Sequence, residues 1–490
     1  MTLSKSDYLL FLKHPAWGWL KKNNKSVLPP IDANTQAIFD AAKLFEEYAQ
    51  ELFPEGFLLG FNGFSEYESL GPRTAQAILA KHTTLFQAKF QHAELVCIVD
   101  ILVLDGKKAE LYEIKASTKV KDENLFDLAF QVHVLEKCGY TVVKTGVIFV
   151  NTNYVRSGAI DCHGLTCRQD TTEQVAAYRE LTTRQIARAL TCFRSPNCPD
   201  LSPKHARLRS FHDWLPIYFS LTKIPEGSLY GLCRLDAKLV GELEDKGVKL
   251  LSEISQEVPL NENQSRQLEA MRLGVPQINH VEINRFLDAL QYPLYFFDYE
   301  TCAHTLPLFE GTKPYQQVAF QYSLYVMQEP NGSLEHHEFL HQTTECPAEA
   351  VAKALKECIG TDGSVLVWYE AFEKTRNEEL GELVPAYKDF FAEVNVRIID
   401  LMQPFKDGHY VDSRFMGSCS IKKVLPVLVP ELSYKELDVQ EGLSAQRLWL
   451  EAIHGKGREK NNEALFRALL EYCRLDTLAM VRIYQYLCAV

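Results

Sequence analysis

Residues 94–116 read ELVCIVDILVLDGKKAELYEIKA, and this stretch decides how the first part of the chain folds. Its first half is an apolar, β-branched run broken by a single charge, Asp100. Asp105-Gly106-Lys107-Lys108 is a turn, and 109–116 is a second strand. If the turn sits there, Leu104 pairs with Ala109, and counting along the ladder sets Asp100 opposite Glu113. Side chains alternate across a strand, so Glu113 and Lys115 share a face. A carboxylate inside an apolar strand is costly unless it has a partner or a metal. Two carboxylates meeting at one point, with a lysine beside them, can bind a hard cation and position a water for attack on a phosphodiester.

The flanking segments fit an α/β arrangement. Residues 35–53 (TQAIFDAAKLFEEYAQELF) repeat apolar positions at helical spacing and stop at Pro54 and Gly56. Residues 122–138 and 171–191 are predicted helices, and 141–150 (TVVKTGVIFV) is a strand. Together they predict an α/β domain over 1–205. Residues 206–285 lack strand patterning and are predicted as a helical linker domain. Within it, GLCRLDAKLVGELEDKGVKLLSEI weakly resembles a helix-hairpin-helix module, with a plain helix pair as the simpler reading. Strands return with PLYFFDYE from 293, QVAFQYSLYVM from 317, SVLVWY from 364 and VRIIDL from 396, followed by a long helix over 462–487. They predict a second α/β domain over 286–490.

The composition narrows the function classes. The chain has 490 residues, enough for two to four domains, and 46% are apolar, so it is not a disordered chain. The net charge of −12 argues against a DNA-coating protein. It is compatible with a nuclease, whose site needs clustered carboxylates and only a local basic rim. Thirteen cysteines in no paired framework suit free thiols in a reducing cytoplasm. The first residues show no signal-peptide core, and no apolar run reaches ~18 residues, so a cytoplasmic protein without a membrane span is expected. The stretch His454-Gly455-Lys456-Gly457-Arg458-Glu459-Lys460 is a predicted loop, with solvated surface as its simplest role.

The second part carries its own acidic pattern. Asp298 and Glu300 are two apart on a strand and share a face. Tyr472 and Asp476 are four apart on a helix and also share a face. Between them Glu370 and Glu373 follow the strand SVLVWY, and Asp400 closes VRIIDL. Clustered carboxylates can bind divalent cations that activate water and steady a leaving oxygen.

Both patterns resemble known nuclease families. Asp100 followed by Glu113-x-Lys115 resembles the PD-(D/E)xK superfamily and its RecB-like branch. That resemblance implies a metal-binding acid on the preceding helix, matched by Glu47. It also implies a glutamine on the following helix, matched by Gln131, and a tyrosine matched by Tyr154. RecB-like nucleases of the CRISPR-adaptation type hold an iron–sulfur cluster with one early cysteine and three after the core. Here His14 stands first, with Cys192, Cys198 and His205 after the core, so an iron–sulfur cluster is not expected. Such a set could hold zinc, and loss of the metal is the simpler reading. Asp298-x-Glu300 and Tyr472-x-x-x-Asp476 resemble the first and third motifs of DEDD exonucleases of the tyrosine subclass, which have a ribonuclease H-like fold. The second motif is matched best by Glu373, where the family has Asp, with Glu370 in place of its Asn. Asp400 is the alternative. In that family the tyrosine orients the attacking water.

The whole chain resembles a bacterial family that fuses the two modules, on the segments Leu3-Ser4-Lys5-Ser6, Pro314-Tyr315-Gln316-Gln317, Gly417-Ser418-Cys419-Ser420-Ile421-Lys422 and Asp476-Thr477-Leu478-Ala479-Met480. It implies a Mg²⁺- or Mn²⁺-dependent DNA nuclease. Its catalytic residues would be Asp100, Glu113, Lys115, Gln131, Asp298, Glu300, Glu373, Tyr472 and Asp476. Its metal ligands would be Glu47, Asp100, Glu113, Asp298, Glu300 and Asp476. Gln317, Gln321 and Lys422 are further candidates for the second site, and Lys119 and Lys121 for phosphate contact at the first. Trp17, Trp19 and Tyr315 could stack on bases or belong to the core. The alternatives are a nucleic-acid-binding scaffold with inactive sites and an RNA 3′-exonuclease using the C-terminal module alone.

Overall fold

The computed structural model describes residues 1–455 and 459–490, without the side chains of Phe64 and of residues 459–461. The Lys456–Arg458 part of the predicted loop, and the side chains of the two residues after it, lie outside what is described. The chain is mixed α/β and divides into two compact units, one of residues 1–224 with 236–242, the other of 225–235 with 243–490. The helical stretch expected as a separate linker over 206–285 is therefore shared between two units. Its expected helix pair is one helix, Ala237–Asp245, then a turn at Gly247 with φ +77° and a single 3₁₀ turn at Leu251–Glu253. The Glu253 carboxylate accepts from the backbone N–H groups of Lys249 and Leu250 at the start of this turn, and the chain leaves it in extended conformation at Ile254.

The first unit is built on strands β1 (Leu3–Ser4), β2 (Phe57–Leu58), β3 (Thr84–His92), β4 (Leu95–Asp105), β5 (Lys108–Lys115), β6 (Thr141–Val150) and β7 (Thr166–Asp170). They form one sheet in the order β2-β3-β4-β5-β6-β7, with β1 alongside β4. The hairpin β4–β5 turns at Gly106, φ +60°, and pairs Leu104 with Ala109 and Ile101 with Tyr112, the expected register. The helix Asp122–Lys137 crosses from β5 to β6, which run parallel. Leu125, Leu128, Phe130 and Leu135 on this helix pack with Val99, Leu102, Leu111 and Val147 of the sheet. The helix predicted over 171–191 is two pieces, Thr172–Ala177 and Arg179–Arg194. Ser4 begins the helix Lys5–Lys13 with a capping box closed by Asp7, and Asp32 caps Ala33–Gln50.

The second unit holds β8 (Gln277–Ile278), β9 (Leu294–Cys302), β10 (Val318–Met327), β11 (Leu334–Leu340), β12 (Ser364–Val367), β13 (Ile398–Asp400) and β14 (Tyr410–Val411). β8 and β14 make a small ribbon, and the others form a sheet in the order β11-β10-β9-β12-β13. β9 to β11 pair antiparallel, whereas β12 and β13 run parallel to β9. Alternation along β9 sorts its residues by face. Tyr295, Phe297 and Tyr299 pack with Val351, Leu355, Leu380 and Phe391 from helices on one side. Leu294, Phe296 and Cys302 pack on the other with Trp449 of the helix Gly442–His454 and with Leu469 and Tyr472 of the helix Glu459–Ala489. Asp298 and Glu300 alternate with that second set, so they face the C-terminal helices.

Candidate active sites

In the first unit the Asp100 carboxylate accepts the backbone N–H of Ile114 at 2.9 Å, which ties β4 to β5 next to Glu113. Glu113 is buried, 1% exposed, and its oxygens accept from Lys115 Nζ at 2.6 Å, Gln131 Nε2 at 2.6 Å and Lys5 Nζ at 2.9 and 3.1 Å. Asp127, equally buried, accepts from Lys115 Nζ at 3.1 Å and Gln131 Nε2 at 2.9 Å. Asp127 and Gln131 are one helical turn apart and point at the same spot. Of the expected set, Asp100, Glu113, Lys115 and Gln131 come together.

The predicted ligand Glu47 does not join them. It is exposed on the helix Ala33–Gln50 and lines an open groove with Glu46, Gln50 and Gln87. Its neighbour Glu46 instead acts on Asp100, because a one-residue step turns a helical side chain by about 100°. Asp127 and Lys5 were missed. The signal for Asp127 was its four-residue spacing from Gln131.

The electrostatics are uneven. Burial, then the charge of Glu113, pushes Asp100 up to about 8. Burial opposes ionisation of Glu113 too, but Lys115 and Lys5 overcome it and hold that carboxyl well below its usual range. Asp127 is raised by burial and by Glu113.

In the second unit four acids converge. Asp298 and Glu300 come from β9, Asp476 from the helix Glu459–Ala489, and Glu373 from the first turn of the helix Glu370–Leu383. Glu300, Glu373 and Asp476 are 7%, 1% and 8% exposed. The ligand atoms of Asp298, Glu300 and Cys473 lie within 4.8 Å of one another, the one such set of His, Cys, Asp or Glu among the described residues. One oxygen of Glu373 is buried without a hydrogen-bond partner. Burial, followed by Glu373, Asp476 and Glu300, drives Asp298 far up. Burial and Asp476 lift Glu300 to about 8, and burial lifts Asp476 to about 6 against its hydrogen bond from Tyr434.

Tyr434 donates to Asp476 at 2.6 Å, and Lys422 Nζ donates to Tyr472 at 3.2 Å and to the Gln440 carbonyl at 2.5 Å. Tyr472 hydrogen-bonds Asp476 as well, and burial pushes its hydroxyl far above the normal tyrosine range. The expected Asp298, Glu300, Glu373, Tyr472 and Asp476 are thus gathered, with Lys422 beside them. Tyr434 and Cys473 were not foreseen, since neither spacing nor strand placement marks them.

Other candidates have structural work. Asp400 accepts the backbone N–H groups of Tyr369 and Met402 on one oxygen, at 3.0 and 3.1 Å. Tyr369 itself is left-handed, φ +84°, and starts the helix that carries Glu373. Glu370 pairs along that helix with Lys374. Gln321 donates to the Leu469 carbonyl, and Gln317 accepts from Thr301. Tyr154 accepts from the Asp161 backbone, while Lys119 and Lys121 are exposed. Trp17 and Trp19 are half-buried and pack against a small core with Trp214.

His14 is buried against Trp214, rings 4.1 Å apart. Its Nδ1 accepts the Ala16 N–H and its Nε2 contacts the Ser202 carbonyl. Both ring nitrogens are engaged, and Cys192, Cys198 and His205 do not close with it into a set of ligand atoms within 4.8 Å. All thirteen cysteines are free thiols. Among the described residues no helix is long and apolar enough to cross a membrane.

Both clusters are built on carboxylate oxygens, hard donors that suit Mg²⁺ or Mn²⁺, with the Cys473 thiol beside those of the second. The uncompensated acids of the second and the orphan oxygen of Glu373 fit a cation there.

A family model described as a domain of unknown function (DUF2779) matches residues 295–420, which include Asp298, Glu300, Glu373 and Asp400. The chain is also similar to the uncharacterized protein MG366 of Mycoplasma genitalium. The two are 24% identical over 206 residues, 38% of this chain and 31% of the relative. The homologue in Mycoplasma pneumoniae is 25% identical over 205 residues, with the same coverage. The match thus spans about a third of the length of these curated relatives.

Proposed function

We propose that the protein is a divalent-metal-dependent DNA nuclease with two phosphodiesterase sites. The N-terminal unit would be a RecB-like PD-(D/E)xK module and the C-terminal unit a ribonuclease H-like DEDD exonuclease working from the 3′ end. DNA repair, recombination or defence against foreign DNA is the setting, in the cytoplasm. The observation that carries this reading is the convergence of Asp298, Glu300, Glu373 and Asp476, four acids with Lys422 and Arg376 as the cations acting on them. A fold does not bury such a set for stability, because like charges out of water repel strongly. DNA is favoured over RNA by the resemblance of the first site to RecB-like modules.

Asp298, Glu300, Glu373 and Asp476 would hold cations at the second site, and Asp100 and Glu113 at the first. When bound, such cations lower the pKa of water and stabilise the oxygens of the scissile phosphate. Tyr472 keeps its proton. Held between Lys422 and Asp476, its hydroxyl is a fixed hydrogen-bonding group that can orient a water but not deprotonate it. At the first site Lys115, fixed by Glu113 and Asp127, presents its ammonium beside the paired acids, where it can meet a phosphate oxygen or the attacking water.

The test is a nuclease assay in Mg²⁺ or Mn²⁺ on 5′-labelled single- and double-stranded DNA and RNA. The proteins are wild type, Lys115→Ala, Asp298→Ala and the double variant. Degradation of DNA, with each single variant removing a distinct part of the product pattern, is the expected result. Binding of DNA with every substrate left intact would overturn it in favour of a scaffold, and degradation of RNA alone in favour of an RNA 3′-exonuclease.

A further inference from the structure

Lys5 is the first residue of the helix Lys5–Lys13, and its backbone is fixed from both sides. Leu3 and Ser4 pair in parallel with Leu95 and Val96 of β4. The Ser4–Asp7 capping box then sets the direction of the helix, with Asp7 neutralised by Lys22 at 2.7 Å. The Lys5 side chain is thereby aimed into the first acidic cluster. Its Nζ lies 3.5 Å from Asp100, 2.9 Å from Glu113 and 3.8 Å from Asp127. Lys115, the other lysine there, makes ion pairs with Glu113 and Asp127 but none with Asp100. Lys5 is the cation set between Asp100 and Glu113, the pair that the nuclease reading assigns to a metal.

We propose that Lys5 is a resident counter-cation of this cluster, whose ammonium fills the space between Asp100 and Glu113 and must leave when a divalent cation enters. The inference rests on the metal-site reading of the first cluster and deepens it. The physics is competition. An ammonium approaches carboxylate oxygens to hydrogen-bond distance, and Mg²⁺ to ~2.0–2.1 Å, so the two cannot share the same oxygens at once. The long, flexible lysine stem lets the group withdraw without moving the helix. Without the lysine, three acids would face Lys115 alone, and the metal-free fold would carry more repulsion.

The experiment uses the full chain carrying Asp298→Asn and Asp476→Asn, which disables the second cluster. Free Mn²⁺ is followed by electron paramagnetic resonance, and thermal midpoints are taken in EDTA and in Mn²⁺. Lys5→Met is expected to bind Mn²⁺ about tenfold or more tightly, the effect of removing a competing charge at this range. It is also expected to melt earlier in EDTA and to regain its midpoint in Mn²⁺, whereas Lys5→Arg keeps the parental behaviour. Equal or weaker Mn²⁺ binding by Lys5→Met overturns this inference and leaves the metal site standing. No Mn²⁺ binding by any of the proteins overturns both. Should Lys5→Met not fold, amine labelling of the parent read by mass spectrometry decides. Labelling of Lys5 is expected to rise several-fold when Mn²⁺ is added, and an unchanged or lower yield refutes the exchange.

Discussion

The second acidic cluster makes the metal-free protein sensitive to alkali, in a direction opposite to that of ordinary ion-paired acids. Glu300 is lifted from 4.5 to about 8 and Asp476 from 3.8 to about 6, chiefly by burial. A raised acid binds its proton more tightly in the folded state, so its stabilising effect is present at low pH and is lost above the unfolded value. Each such group costs about 1.4 kcal/mol per pH unit until its folded pKa is passed. Between pH 5 and 7 Glu300 acts over the whole interval and Asp476 over the lower half. Together they remove about 4 kcal/mol, on the order of 10 °C in the midpoint of a unit of this size. Asp100 of the first cluster, raised to about 8, adds in the same sense. Glu113, held low, is ionised throughout this interval and leaves the slope unchanged.

The assay is calorimetry in EDTA from pH 5 to 8, repeated with Mn²⁺ and with Asp298→Asn. The wild type should melt progressively earlier as the pH rises. Saturating Mn²⁺ should reverse the trend, because bound cations favour the ionised acids. Asp298→Asn should flatten it, since Asp298 is itself raised far above its ordinary value by burial and the neighbouring acids and adds to the slope in the same sense. A midpoint in EDTA that stays level or rises from pH 5 to 8, together with a less stable Asp298→Asn protein, would refute the argument that these acids are uncompensated.

Further outcomes follow from the same geometry. Tyr472→Phe should lower the turnover of the C-terminal site by ~10²-fold or more while shifting the midpoint little, because the ring keeps its packing and only the hydroxyl between Lys422 and Asp476 goes. Asp400→Ala should destabilise by about 1–3 kcal/mol through two abandoned backbone N–H groups. Its Mn²⁺ titration should match that of the wild type, which separates Asp400 from the metal site. His14→Ala should cost about 2–4 kcal/mol from lost packing on Trp214 and a lost helix cap, and denaturation curves of the wild type should not respond to a zinc chelator. Gln131→Leu should leave the Glu113 and Asp127 oxygens short of a donor and lower the unfolding free energy by about 1–3 kcal/mol, measured in urea.

What was legible in the sequence was whatever a short-range period could carry. The register of β4 and β5 followed from a four-residue turn and alternation, and Leu104 opposite Ala109 is the pairing found. Asp298 with Glu300, and Tyr472 with Asp476, were legible for the same reason, because each pair lies within one element whose period is known. Misses arose where an angle, not a spacing, decides. Glu46 and Glu47 are adjacent on one helix, and which of them faces Asp100 depends on how that helix is rolled against the sheet, which the local pattern leaves open. The break between Ala177 and Arg179 was hidden because both pieces keep the same apolar face.

A second class of miss concerns residues whose role exists only through partners remote in sequence. Lys5 lies 108 residues before Glu113, and Tyr434 lies 42 before Asp476. Neither has a local signature, since a lysine at a helix start and a tyrosine in a 3₁₀ turn are ordinary. They become informative only once the acids are known to meet. Buried acids create a demand for cations and donors, and any flexible side chain within reach will be drawn into meeting it. In the first cluster Lys5, Lys115 and Gln131 largely meet that demand from the protein itself. In the second, one carboxylate oxygen, that of Glu373, stays unpaired, while acids of both clusters remain raised. This difference predicts unequal behaviour of the two clusters toward divalent ions. The second should take up metal readily, because nothing must be displaced, and the first only in exchange for an ammonium. Mn²⁺ titration of Asp298→Asn against Asp100→Asn measures that ordering directly. Tighter binding at the first cluster than at the second would contradict it.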